Sequence, residues 1–235
     1  MKLILCGGGD GEQVKESYEL FANLVNGGKI LYVPLAWNNG NMDTCIDWFK
    51  KEMEPFGITD IEDVLEAKDI TKERLSLYKG IFIGGGNTFK LLKTLKDTGA
   101  FNSIKEFLIN DGVVMGCSAG ALIFGNSIDT CLKDDLNIKS TDENIVDLKD
   151  TSGFDVINGY SLFVHYQKKQ EQLEQTKEKM KRLILAGYKV VALPEETSIY
   201  INDNEFTIIG QKSAEIFTQN KNAIIKPNNN CNLTK

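Results

Sequence analysis

The feature that most constrains this chain is a junction used three times, in which a short, wholly apolar run ends in glycine and opens into a segment of helical periodicity. "LILC" (3–6) runs into "GGGDG" ahead of "EQVKESYELFANLV", "GIFI" (80–83) into "GGGN" ahead of "TFKLLKTLK", and "GVVMGCSAG" (112–120) into "ALIFG". Runs without polar alternation are strands buried on both faces, and strands separated by helices build a mostly parallel sheet covered on both sides. "KILYVPLA" and "IEDVLEA" add two more strands to that pattern, with "TCIDWFKKEMEPF", "TKERLSLY" and "FNSIKEFLIN" as helices. The fold class is therefore α/β.

The second half is less regular. Residues 126–159 are rich in Asp, Ser, Thr and Asn and read as long loops over the edge of the sheet. "SLFVHY" (161–166) is a strand expected on the same parallel sheet, "QKKQEQLEQTKEKMKRLILAG" a long helix, and "YKVVALPE" a buried strand. "SIYI", "NDNE" and "FTIIG" make a hairpin by alternation and turn chemistry. Residues 1–227 are assigned to one α/β domain, and 228–235 to a polar tail expected to fray.

Composition excludes several classes. With 27 basic and 33 acidic residues the formal charge is −6, and no basic block is dense enough to seek phosphate backbones, so nucleic acid is not an expected partner. No apolar run approaches the length of a membrane span, so no membrane partner is expected either, and the short run at the start is too short for a signal peptide. Five cysteines, Cys6, Cys45, Cys117, Cys131 and Cys231, include no CxxC pair. That argues against a disulfide framework or zinc knuckle and for a reducing, cytoplasmic setting. The first glycine loop fails the dinucleotide fingerprint because Glu12 stands in place of the third glycine, and no loop continues into the lysine of a P-loop.

Ligands of open α/β sheets bind outside the carboxyl ends of the strands, where all three glycine loops fall. One of them, Gly116-x-Ser118-x-Gly120, has the nucleophile-elbow spacing: a strained strand-to-helix turn lifts the serine hydroxyl above the sheet and needs small neighbours to do so. Cys117, at the variable position, is expected to pack beneath it as a small hydrophobe. A serine hydroxyl needs a base, and the chain has one histidine, His165, near the end of its strand. A carboxylate must then orient the imidazole. Asp129, Asp134, Asp135, Asp142, Glu143 and Asp147 all lie between serine and histidine, and spacing alone does not choose among them. "GGGN" (84–87) suits an oxyanion hole, with Gly86 N–H and Ala119 N–H as donors and Gly85, Asn87 and Thr88 lining the substrate site.

"IFIGGGNTFKLL", "GCSAGA", His165 with Tyr166, and "ALPE" (192–195), taken in that order, resemble the peptidase E family of serine peptidases, which includes aspartyl dipeptidase and cyanophycinase. The resemblance implies a fold like the class I glutamine amidotransferases, a flavodoxin-like sandwich with a C-terminal hairpin and with serine in place of the elbow cysteine. It implies Ser118 as nucleophile and His165 as base, with Gly86 and Ala119 as oxyanion donors. It favours Asp142, in "TDENIV", as the third member, with Asp135 and Asp129 as alternatives. Pro194 and Glu195 match a strand end of the family and are assigned no role beyond structure. The implied activity is hydrolysis of short peptides, dipeptidase-like and with Asp-Xaa in scope, through an acyl-enzyme, without metal or organic cofactor. A homodimer is compatible with it.

Two departures bear on specificity. Only lysines follow His165 until Arg182, where aspartyl dipeptidases carry arginines, which argues against an acidic P1 residue. Val164 stands where cyanophycinase has glutamine, which argues against that polymer. Two other readings follow from the same residues: an amidotransferase-like thiol enzyme using Cys117, and a non-catalytic protein whose rim binds a small metabolite.

Overall fold

The structure, a computed structural model, describes residues 1–38, 40–166, 170–231 and 233. The apolar runs form the strands expected of them: β1 (Lys2–Cys6), β2 (Ile30–Val33), β3 (Ile61–Asp63), β4 (Gly80–Ile83) and β5 (Val113–Cys117). They pair in parallel in the order β3-β2-β4-β5-β1. Helices α1 (Lys15–Val25), α2 (Met42–Met53), α3 (Lys72–Leu75), α4 (Thr88–Thr98) and α5 (Ala100–Ile109) connect them. Two apolar clusters result. One gathers Phe21, Tyr32, Phe49 and Phe82 with α1 and α2, and the other gathers Leu31, Ile81, Val114 and Leu92 with α4 and α5. Strands β1, β2, β4 and β5 place alternate residues in each cluster, the signature of a sheet covered on both faces.

The expected hairpin is present as β8 (Thr197–Asn202) and β9 (Glu205–Gly210), and it extends the sheet antiparallel beside β1. The second half departs from expectation in a way that matters for the site. The strand carrying His165, β6 (Tyr160–Tyr166), does not join the large sheet. It pairs in parallel with β7 (Lys189–Pro194), and these two continue antiparallel into β10 (Ala214–Phe217) and β11 (Asn222–Ile225), giving a separate sheet of order β11-β10-β7-β6. Helix α7 (Leu173–Leu185) follows the short elbow helix α6 (Ala119–Leu122) in the chain, and packs Met180 and Leu183 against Phe163 and Val190 of the small sheet. The long helix expected from residue 167 is described from Leu173, and residues 167–169 lie outside the described ones.

Residues 126–159 are irregular, as expected, and hold one 3-10 turn at Asp129–Cys131 and isolated bridges Ser127–Ser152 and Leu132–Asp142. The tail differs from expectation: Cys231 and Leu233 are buried, Cys231 N–H donates to Phe206 O, and Asn158 Nδ2 donates to Leu233 O. Two apolar side chains spaced by one residue are enough to anchor an otherwise polar end. Among the described residues no helix is long and apolar enough to cross a membrane.

An aromatic cluster of Tyr32, Phe49 and Phe82 packs beneath β2 and β4, the frame that holds the second glycine loop. Phe49 is fully buried, stacked on Tyr32 at 3.8 Å between ring centroids and 4.5 Å from Phe82. Phe49→Ala is expected to destabilise the protein by about 3–5 kcal/mol, read as a lowered urea midpoint at unchanged m-value; a loss below about 1 kcal/mol would mean that the cluster repacks around the gap.

Candidate active site

The elbow forms as its spacing requires. Ser118 sits between β5 and α6 with φ 54° and ψ −114°, a conformation costly for a non-glycine residue. Its N–H donates to Cys6 O at 3.1 Å, which ties the end of β5 to the end of β1. The flanking glycines are steric necessities: a Cβ on Gly116 would lie 2.1 Å from Gly120 O, and one on Gly120 2.1 Å from Ile83 O.

His165 reaches Ser118 from the other sheet. The β6–β7 register shifts between Phe163 and Tyr166, and within this bulge His165 takes φ 53°. A bulge turns a side chain out of its alternation. The His165 N–H leaves the ladder and donates to Gly7 O at 2.9 Å, docking β6 onto the loop after β1. The ring then meets Ser118, with Nε2 2.9 Å from Oγ.

The carboxylate at the other ring nitrogen is Glu195, with Oε1 2.9 Å from Nδ1 and both side chains largely buried, at 15% and 18% exposure. Glu195 belongs to the two-residue crossover between β7, in the small sheet, and β8, in the large one. Asp142, the expected third member, stands elsewhere. Its Oδ2 accepts from Thr88 N–H at 2.8 Å and from Thr88 Oγ1 at 2.6 Å, capping the start of α4. Burial pushes its pKa up, and the bonds from Thr88 oppose that shift. The alternatives are also engaged away from the imidazole: Asp135 pairs with Arg182, and Asp129 accepts from Tyr188 Oη and Ser127 Oγ.

The glycines of "CGGG" make this meeting sterically feasible, a role the sequence did not disclose. A Cβ on Gly8, whose φ is 118°, would lie 2.3 Å from His165 Cε1, and one on Gly7 2.3 Å from Pro194 O. Glu196 N–H donates to Gly8 O and Gly7 N–H to Thr197 O, so the same loop also holds the crossover that carries Glu195.

The second glycine loop stands over the serine. A Cβ on Gly85 would lie 3.2 Å from Ser118 Cβ, and Gly86, at φ 138°, passes so close to Ala36 that a Cβ would lie 2.1 Å from its carbonyl oxygen. Asn87 N–H donates to Ala36 O, which fixes the loop. Among the described residues no acceptor takes up the N–H of Gly86 or Ala119. Asn87 and Thr88, expected to line the substrate site, are instead buried and internally committed. Asn87 Oδ1 accepts from Lys90 N–H and its Nδ2 donates to Glu143 O, while Thr88 serves Asp142. Cys117 lies against Cys6 below the rim, and that contact together with burial holds its thiol well above the usual cysteine range. No group of three or more His, Cys, Asp or Glu gathers as a metal site among the described residues.

With the fold and these contacts in view, the family model for peptidase family S51 matches residues 3–209. The chain belongs to peptidase family S51. The matched span runs from β1 to the end of β9 and so contains Ser118, His165 and Glu195. The family makes the chain a serine peptidase of the peptidase E kind, in agreement with the resemblance carried by its motifs. Peptidase E of Salmonella arizonae is 25% identical over 224 residues, with 90% of each chain covered. Two solved structures share the fold. A protein from Listeria monocytogenes assigned as a peptidase E has TM-score 0.71 at 22% identity, covering 90% of this chain and 98% of that one. A peptidase from an acI-B1 Actinobacterium has TM-score 0.72 at 18% identity, covering 98% and 96%.

The space at Gly8 generates a direct test. Gly8→Ala places a methyl where the imidazole stands and is expected to lower kcat/KM on a cleavable peptide by about 100-fold, with circular dichroism unchanged. Full activity in a folded Gly8→Ala protein would show that the imidazole does not need that space.

Proposed function

We propose that this S51 member hydrolyses short peptides through a Ser118–His165–Glu195 triad and an acyl-enzyme on Ser118. The observation that supports this best is the continuous hydrogen-bonded chain from Ser118 Oγ through both ring nitrogens of His165 to Glu195 Oε1. Glu195 holds the tautomer with Nδ1–H, which leaves Nε2 as acceptor for the serine proton and stabilises the imidazolium once formed. Ser118 Oγ attacks the scissile carbonyl carbon. The oxyanion is received by Gly86 N–H and Ala119 N–H, both free of internal acceptors among the described residues. His165 then protonates the leaving amine, and in the second half-reaction takes a proton from water as it attacks the ester.

The thiol reading loses support, because a thiolate is the attacking species and the environment of Cys117 disfavours it. The cation inventory also bears on substrate choice. Arg182 is held by Asp135 and Glu178, Lys179 is buried against Asp134 and Leu132 O, and Lys90 donates to Trp37 O. Lys168 and Lys169 lie outside the described residues. These three cations are engaged with internal partners, which, with no arginine between His165 and Arg182, supports neutral P1 residues as the preferred class.

A library of dipeptides and tripeptides that includes Asp-Xaa members, followed by mass spectrometry, tests both points. Ser118→Ala is expected to abolish cleavage, and Glu195→Gln to lower kcat by roughly 10⁴-fold. Asp135→Asn is expected to leave it within about twofold, as for a solvated surface pair. Cleavage that survives Ser118→Ala would refute the mechanism, and cleavage confined to Asp-Xaa peptides would refute the specificity. No cleavage of any peptide by wild type would favour the metabolite-binding reading.

A further inference from the structure

Two cysteines that the mechanism does not use sit directly beneath it. Cys6 and Cys117 are the last residues of β1 and β5 and are direct register partners, so their side chains project to the same face of the sheet. Both belong to the cluster on the α1–α2 side, where Cys6 is fully buried and Cys117 partly buried. Each is followed at once by catalytic structure. Gly7 and Gly8, after Cys6, receive His165 N–H and make room for its ring, and Ser118, after Cys117, donates its N–H to Cys6 O.

We propose that Cys6 and Cys117 form a reversible disulfide that switches the peptidase off. Neighbouring strands lie about 4.8 Å apart, inside the Cα separation of about 4.4–6.8 Å that a disulfide spans. The Cβ atoms of a bonded pair lie closer, at about 3.8 Å. Closing the bond therefore draws the two strand ends together, and these ends carry the elbow and the imidazole cradle. Cys6 is prepared to be oxidised first. Gly8 N–H points at its Sγ from 3.4 Å, and the neighbouring Cys117 thiol and Ser198 hydroxyl favour its thiolate against the cost of burial. The other three thiols, Cys45, Cys131 and Cys231, are shifted upward by burial alone or chiefly by burial.

The oxidant is a hydroperoxide. It oxidises the sulfur whose neighbours favour the thiolate, Cys6–SH plus ROOH giving Cys6–SOH plus ROH. The Cys117 sulfur, its register partner, then attacks the sulfenic sulfur, forming the S–S bond and releasing water. Two equivalents of a small thiol reverse the step and leave as their own disulfide.

The expected loss of activity rests on the peptidase reading, but bond formation does not, so the experiment reads the two separately. Purified protein is treated with hydrogen peroxide, quenched by alkylation and digested without reduction, while hydrolysis of a cleavable peptide is followed in parallel. The expected result is a peptide pair joined through Cys6 and Cys117, an intact mass lower by two hydrogens, and at least a tenfold loss of activity that dithiothreitol restores. Cys6→Ala and Cys117→Ala are expected to keep their activity through the same treatment. Absence of the linked pair, or a linked protein that retains full activity, overturns the proposal. A reduced protein that cleaves no peptide counts against the peptidase reading instead, and the linked pair is still read.

Discussion

The hydrogen bond from His165 N–H to Gly7 O is the contact on which the site depends. It joins the two sheets where the chain places an imidazole against the elbow serine. Everything nearby accommodates it. The bulge in β6 frees the N–H from its own ladder, Gly8 leaves the volume that the ring occupies, and Gly7 lets the end of β7 pass at backbone distance. A hydrogen bond of this kind contributes only about 1 kcal/mol to net stability. Its importance is positional, since proton transfer between Ser118 and His165 needs hydrogen-bond reach.

Much of the fold was legible because its strands are buried on both faces. Apolar runs identified five parallel strands, the glycines ending two of them marked two of the loops that build the site, and the elbow followed from Gly116, Ser118 and Gly120 alone. His165 was legible by scarcity, being the one histidine in the chain. The separation into two sheets was not legible. "SLFVHY" and "YKVVALP" have the same apolar character as β1 and β4, and nothing in a strand's composition states which neighbour it will pair with. β10 and β11 escaped notice because "AEIF" and "NAII" are short and only half-buried.

The carboxylate that meets the imidazole is not the expected Asp142, for a related reason. A search between serine and histidine assumes that the carboxylate precedes the base, whereas Glu195 lies 30 residues beyond it. The signal was present in "ALPE": a buried strand ending in proline and glutamate, parallel to the strand of the histidine, must place that glutamate near the histidine's end of the sheet. Recognising it required knowing that β6 and β7 pair in parallel as neighbours. Asp142 was attractive because it does stand close to the catalytic loop, but its hydrogen bonds hold Thr88 and the start of α4 rather than the imidazole.

The central claim is that Ser118 is an activated nucleophile whose base is His165, and covalent labelling tests it without assuming a substrate. The protein would be treated with a fluorophosphonate and the adduct located by peptide mass spectrometry in wild type, His165→Ala and Glu195→Gln. The account predicts one adduct, on Ser118, abolished in His165→Ala and strongly slowed in Glu195→Gln. An adduct on Cys117, or labelling of Ser118 that proceeds undiminished without His165, would contradict it.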